Sequence, residues 1–457
     1  MKFVLIWGLL LTGQIALAQS LTLSLKQAED RAVAVSTNLA MERSQAALGK
    51  LRYDLGWRAF LPTLSFGYSE NDSIVTDSPD SFDKQLYTTI KQTVFDGGKS
   101  FRDHRLSALQ LEQTFHELEV DRRLQRQKVW ELYKNLELAQ KRFEVLMQGY
   151  RQAVEEEKLS EARQAVGEIT QLDVLDVQVQ VSQLSDQVDE ARLAVTDHAT
   201  RLRELLKLRP GTPLLLADPL DGTYSGFPIV DSPAIFLRQA ETASLEYAKF
   251  RLNIREVATQ REAMTWSWLP SVEVETTLSA SASNFPLRQP GVNVSVSLRF
   301  PVPYSPVSFS LGGGFQGDVS RSRTVASSTE VLSDLSSLTA GTELSLKVIN
   351  LQDKITTWKQ SILDQSEDFI EGYKIRQHKL ETLRQILQLE HQRESLLKER
   401  LKVGEIKPAE LLIEQGKVLN ASNDVWNAVV DLMLQERRFE TILGLPEGGL
   451  KRLEARP

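Results

Sequence analysis

The chain has no cysteine in its 457 residues, which excludes a disulfide framework, a thiolate metal site, a catalytic thiol and lipidation through cysteine. Its five histidines (His104, His116, His198, His378 and His391) show no paired ligand spacing, so no metal centre is expected. No Ser/His/Asp order or phosphate loop stands out, and Gly312-Gly313-Gly314 lacks the Lys-Ser/Thr of a nucleotide loop. Acidic pairs are plentiful but fall on helix faces, where they read as solvated surface. The chain is therefore not expected to be an enzyme or to carry a cofactor. With 54 Lys and Arg against 61 Asp and Glu, the net charge is −7, and the absence of a basic patch argues against nucleic acid as a partner. Nor does any stretch approach the ~20 apolar residues a membrane helix needs.

A shorter apolar run does open the chain. Lys2 precedes the stretch Phe3 to Ala16, and Ala16-Leu17-Ala18 has the small residues of a cleavage site. Residues 1–18 are expected to be a signal peptide and the protein to be exported.

The chain then says the same thing twice. Val166-Gly167-Glu168-Ile169 recurs 237 positions later as Val403-Gly404-Glu405-Ile406, and Leu206-Lys207-Leu208 recurs at the same shift as Leu443-Gly444-Leu445. Upstream, Leu25-Lys26-Gln27-Ala28-Glu29 returns as Leu237-Arg238-Gln239-Ala240-Glu241, and Leu61-Pro62 returns as Leu269-Pro270. Each copy has one order: helix, Leu-Pro, strands, long helix, Val-Gly-Glu, return helix, terminal Leu-x-Leu. Such a duplication marks a pseudo-symmetric building block. The expected divisions are a first repeat at 19–231, a second at 232–447 and a tail at 448–457.

The helices are too long for a globule. Lys99 to Gln164 contains no proline and only Gly149, and its apolar residues Leu132, Leu136, Ala139, Phe143, Leu146, Tyr150 and Val154 recur at three and four. At ~1.5 Å per residue such a helix would reach about 100 Å. Leu344 to Leu401 carries Val348, Ile355, Ile362, Phe369, Leu383 and Leu397 on seven-residue steps or multiples of them. Stripes of this kind call for partner helices in coiled-coil packing, and hence for an oligomer. Gly167 and Gly404 suit a left-handed residue closing a helix. Thr170 with Asp173 reads as a capping box, and Pro408 as a helix start. Each half thus folds back as a helical hairpin with its tip at Val-Gly-Glu.

Between the helices the period changes to two. Val272, Val274, Thr276, Leu278, Ala280 and Ala282 alternate with Glu273, Glu275, Thr277, Ser279 and Ser281. Val292, Val294, Val296, Leu298 and Phe300 alternate with Asn293, Ser295, Ser297 and Arg299. Strands of about ten residues with one apolar face are long enough to cross a bilayer in a barrel, although a soluble sandwich alternates in the same way. The first half offers Leu64-Phe66-Tyr68 and a partner from Leu86 to Phe95, and aromatics gather near strand ends: Trp57, Phe60, Trp266, Trp268, Phe300 and Tyr304. Two hairpins per chain cannot close a barrel, so several chains would have to contribute, and only a closed barrel leaves no unpaired backbone in lipid.

Over essentially the whole mature chain these residues resemble the TolC-like outer membrane efflux proteins. The resemblance is carried by the Leu-Pro before each strand pair, Val94-Phe95-Asp96-Gly97-Gly98 before the long helix, and the Val-Gly tip before Leu172-Asp173-Val174-Leu175-Asp176. Leu208-Arg209-Pro210-Gly211-Thr212-Pro213 closes the first half in the same manner. The order, twice over, is the specific signal. The resemblance implies a mixed α and β protomer with coiled-coil helical hairpins forming a periplasmic tunnel, and two β-hairpins contributing to a trimeric twelve-stranded outer-membrane barrel. The connection from Pro210 to Pro233 and the C-terminal tail would form a collar. It implies passive transport for a tripartite efflux or type I secretion system, with a homotrimer, a periplasmic adaptor, an inner-membrane pump and outer-membrane lipid as partners. The alternative is a non-conducting periplasmic coiled-coil scaffold anchored in the outer membrane.

Two sites transfer by position. The tips Val166, Gly167, Glu168 and Val403, Gly404, Glu405 correspond to adaptor-docking surfaces, and equally to plain helix-capping turns. Asp173, Asp176 and Glu410 correspond to carboxylates that narrow and charge the tunnel aperture. Asp173 and Glu410 also lie in first helical turns, where the dipole favours a carboxylate, whereas Asp176 lies beyond the cap. The second copy departs from the first: Pro62 to Gly167 spans 105 positions, Pro270 to Gly404 spans 134. Phe315-Gln316-Gly317-Asp318 is its best candidate for the Phe-Asp-Gly-Gly that leads into a long helix. The surplus either lengthens that helix or lies between Pro301 and Thr342, where alternating Val307-Phe309-Leu311 would allow an extra strand.

Overall fold

The computed structural model describes residues 21–73, 81–266, 268–302, 305–317, 320–331 and 336–454; the expected signal peptide, Tyr304 and Asp318 lie outside them. Strand β1 (Leu21–Leu23) and helices α1 (Leu25–Val35) and α2 (Thr37–Leu55) lead through a short 3-10 turn to β2 (Thr63–Ser73) and β3 (Ser81–Asp96). Helices α3 (Lys99–Ala165) and α4 (Gln171–Leu205) follow, then β4 (Leu214–Leu216). The second copy supplies α5 (Pro233–Ala243), α6 (Leu245–Thr265), β5 (Ser271–Ala282), β6 (Gln289–Phe300), β7 (Val307–Gln316) and β8 (Ser320–Thr329). It ends with α7 (Ser336–Lys402), α8 (Pro408–Leu443) and α9 (Gly449–Glu454). No described helix is long and apolar enough to cross a membrane.

The chain divides into two compact units that cut across the duplication. One unit comprises Met1–Ala40, Val120–Ser244 and Ile362–Pro457, and the other Met41–Glu119 and Leu245–Ser361.

In the first unit the repeat is visible as matched packing. Ala28 on α1 and Ala240 on α5, equivalent in the two copies, are both fully buried. Ser24 begins α1 with a capping box to Gln27, while Pro233 occupies the first turn of α5, each a favourable helix start. Leu23, Val129, Tyr133, Leu136, Leu202, Leu206 and Leu214 form one core around a parallel β1–β4 ribbon. Tyr133 donates to the Leu23 carbonyl at 2.9 Å, which satisfies its hydroxyl within that core. Phe369 stacks on Phe439 at 3.9 Å, with Phe236 edge-on at 5.2 Å to Phe439. The connection after β4 is fastened to α7: the Tyr373 hydroxyl accepts from the Phe227 N–H at 3.1 Å, and Arg384 donates to the carbonyls of Gly222 and Tyr224. Further along, Ala153, Val177, Val181, Leu184, Ala409 and Leu412 join the first helical hairpin to α8. Gly149 lies where a Cβ would come 2.3 Å from a Leu419 methyl, so the one glycine of α3 marks a close helix crossing.

The second unit holds one antiparallel sheet in the order β2-β3-β5-β6-β7-β8. This corrects the expected two hairpins per chain. Among the described residues there are three, the third being β7–β8, and a six-stranded sheet does not match four strands from each chain of a twelve-stranded trimer. Phe315-Gln316 is accordingly the end of β7, not the approach to a helix, and α7 starts at Ser336. The reason is length matching. Helices α3 and α7 each have 67 residues, so the second copy's surplus is taken up as strands. The glycines of Gly312-Gly313-Gly314 lie in β7, where a Cβ on Gly314 would come 2.7 Å from the Val292 carbonyl oxygen of β6.

Register places the apolar residues on one face. Phe66, Thr88, Leu278, Val292, Phe315 and Arg321 are connected by successive cross-strand pairs. On that face Phe66 is 75% exposed, Val325 71% and Leu311 51%, a contiguous apolar surface that a soluble monomer rarely presents. The other face carries Ser65, Thr89, Glu273, Thr277, Ser295, Ser310 and Ser322. Trp57, Phe60, Trp266 and Trp268 are exposed beside the sheet end from which the strands join the helices, as in an interfacial aromatic belt.

Candidate functional site

The two Val-Gly-Glu tips close in the same way. At the first, the Gly167 N–H donates to Gln164 O at 2.9 Å and the Glu168 N–H to Arg163 O at 2.9 Å. At the second, the Gly404 N–H donates to Leu401 O at 3.1 Å and the Glu405 N–H to Arg400 O at 3.0 Å. Both glycines are left-handed, with φ of 78° and 76°, as a helix-terminating residue requires. A Cβ on either would meet nothing within 4 Å, so conformation, and not crowding within the chain, calls for glycine here. Val166 and Val403 stand 72% and 71% exposed, and Leu172 lies exposed beside the first tip. Glu405 is held by Arg400 at 3.0 Å, and Glu168 is exposed.

Past the tips the copies diverge. Thr170 caps α4 by accepting from the Asp173 N–H at 3.2 Å, and Asp173 accepts from the Thr170 N–H at 2.9 Å. The position 237 residues on is Lys407, whose side chain makes no cap bond to α8. Its ammonium reaches Asp173 instead, with Nζ 2.9 Å from Oδ1. That lysine, together with the Thr170 hydroxyl and N–H, holds the Asp173 carboxyl down at about 2. The bond to Asp173 in turn raises Lys407, and the charges of Asp176 and Glu410 add to the effect. All three aperture candidates therefore act on one ammonium. Asp173 is buried at 6% exposure, whereas Asp176 and Glu410 are exposed. Sequence reasoning missed Lys407. The signal was its alignment with Thr170, a cap position filled by a side chain that cannot cap. Among the described residues no cluster of His, Asp and Glu is arranged to hold a metal.

Long helical hairpins with similar tips, each preceded in the chain by strands of one antiparallel amphipathic sheet, define the channel-tunnel fold of outer membrane factors. The same fold is found in the Campylobacter jejuni CmeC outer membrane channel, with a TM-score of 0.68 and 13% identity over 94% of this chain and 88% of that one. The open state of the Neisseria gonorrhoeae MtrE outer membrane channel matches at 0.68 and 12% identity over 94% and 90%. The Vibrio cholerae outer membrane protein VceC matches at 0.67 and 12% over 92% and 96%.

Residues 23–206 match the model of the outer membrane efflux protein family, so the resemblance read from the motifs is borne out. The matched span lies wholly within the first repeat. No curated protein sequence matches the chain.

Proposed function

We propose that the protein is the passive outer-membrane duct of a tripartite efflux or type I secretion system, working as a homotrimer with its helical part in the periplasm. The observation that carries this reading is the sheet. One face is mostly apolar from β2 to β7, with Val325 continuing it in β8, while the other is lined by serine, threonine, glycine and a few charges, which suits lipid outside and water inside. The twin tips support the rest of it. Each offers an exposed valine on a fixed turn with open space at the glycine, a surface that a periplasmic adaptor hairpin can approach closely. Asp173, Asp176 and Glu410 would set the charge of the aperture, with Lys407 as their counter-ion. No bond is made or broken by this chain, and the energy for transport would come from an inner-membrane pump.

Purified protein in a planar lipid bilayer tests the reading directly. Discrete, ion-conducting steps together with a trimer mass in detergent are expected. A folded protein that inserts without conducting would favour the scaffold alternative. For the tips, Val166→Asp with Val403→Asp should abolish cross-linking to the adaptor while leaving the conductance steps in place.

A further inference from the structure

The sheet ends in two edge strands, β2 and β8, each paired on its inner side and, among the described residues, open on its outer side. Open backbone edges do not persist in lipid, because nothing there satisfies the free N–H and C=O groups. The two edges match in length, 11 residues in β2 and 10 in β8, and the alternation of strands makes their directions opposite. They also match in charge. At the hairpin end of β2 the apolar face turns acidic with Glu70 and Asp72, and at the hairpin end of β8 the same face carries Arg321 and Arg323. Asp72 and the two arginines make no ion pair among the described residues, while Glu70 bonds Lys84 at 2.8 Å.

We infer that β2 and β8 are the two sides of one intermolecular seam, β8 of each copy pairing antiparallel with β2 of the next, so that the third hairpin is part of the barrel wall. The inference rests on the reading of the chain as a trimeric membrane channel, which supplies the number of copies; the seam itself comes from the edges. Aligning the strand ends sets Asp72 opposite Arg321, Glu70 opposite Arg323, Tyr68 opposite Val325 and Phe66 opposite Ser327. On the polar face it sets Gly67 opposite Ala326 and Ser69 opposite Thr324. Opposite charges and an aromatic against a β-branched residue are favourable cross-strand pairs, and no like charges meet.

The stagger is independent support. From Leu64 the registered pairs run through Ile90, Thr276, Val294 and Gly313 to Arg323. The seam then delivers the path to Glu70 of the next copy, six residues further along β2. Six residues at ~3.3 Å against six strands at ~4.8 Å give a strand tilt of about 35°, at the lower end of the range closed barrels adopt. A seam with no such climb could not close. Three copies would make an eighteen-stranded barrel, about half again as wide as a twelve-stranded one and of the size that leaves an aqueous channel.

The cysteine-free chain allows a direct test by disulfide cross-linking in outer-membrane preparations. Two in-register double variants, Tyr68→Cys with Val325→Cys and Gly67→Cys with Ala326→Cys, are compared under a copper–phenanthroline oxidant with an offset control, Leu64→Cys with Val325→Cys. We expect covalent dimer and trimer bands from at least one in-register variant and none from the control. Cross-linking of Tyr68→Cys with Val296→Cys instead would mean that β2 pairs with β6 of the neighbour and the third hairpin lies outside the wall, overturning the seam while leaving the trimer intact. A wild-type protein that is monomeric in detergent and does not conduct would overturn the channel reading and the seam together. As a second readout, Arg321→Asp should lower the temperature at which the trimer dissociates in detergent, and Asp72→Arg in the same chain should restore it. Lowering without restoration in a protein that still folds would count against the proposed register.

Discussion

Lys407 holds its ammonium 2.9 Å from the carboxylate of Asp173, so the cap position of the second tip neutralises the capping box of the first. The two halves of the duplication are thereby tied at the point where three acidic residues gather. The bond also makes the tips chemically unequal, although their turns have the same hydrogen bonds.

Lys407→Ala should leave three carboxylates without a counter-charge, raising cation selectivity and sharpening block by multivalent cations in single-channel recordings. Unchanged selectivity would remove Lys407 from the aperture. Asp176→Ala should act in the opposite direction, lowering cation selectivity with no loss of melting temperature.

Asp173 should behave as a structural acid as well. Its carboxyl is held at about 2, below its ordinary value of 3.8, so its stabilising contribution is complete above that value and is lost as pH falls towards 2. Asp173→Ala should lower the melting temperature at pH 7 and have little effect near pH 2. Any conductance change between pH 5 and 8 must then arise from another group.

Glu440 gives the opposite slope. Burial among Glu436 and Glu447 pushes it up to about 7 despite Arg437 and the bond from the Leu450 N–H at 3.2 Å. A raised acid favours the folded state below its unfolded value of 4.5, and that advantage is lost as pH rises through 7. The loss should amount to on the order of 3 kcal/mol. Glu440→Gln keeps an oxygen for Leu450 and should flatten the dependence of melting temperature on pH between 5 and 8.

Lys207 and Gly444 occupy one position of the repeat and share a left-handed backbone, with φ of 48° and 74°. Lys207→Gly should stabilise the protein by about 1 kcal/mol, since only the lysine carries a Cβ in that conformation. Gly444→Ala should cost more than that, because its Cβ would also come 2.3 Å from the Ala243 carbonyl oxygen. Denaturant melts of the two variants should shift in opposite directions.

The helices and tips were legible because their signals are local: a three-and-four stripe, a left-handed glycine and a capping box each occupy one short window. Strands β5 and β6 were legible by alternation. β7 was half-hidden because Gly312 and Gly314 occupy its polar face as glycines, and β8 was hidden because Ser320 to Thr329 offers only Val325 and Ala326 as apolar residues. A strand at the edge of a sheet, with small polar residues and two arginines, carries almost no periodic contrast. The partnership of Lys407 with Asp173 was illegible for another reason. The residues are 234 positions apart, and neither sequence window predicts the other.

The equal length of α3 and α7 has a consequence for how such a protein can change. Everything the second copy has gained falls between Phe300 and Ser336, two points from which the flanking strand and helix continue in step with their first-copy counterparts. The sheet is thus an exchangeable cassette, open to gaining or losing whole hairpins while the two long helices keep their length.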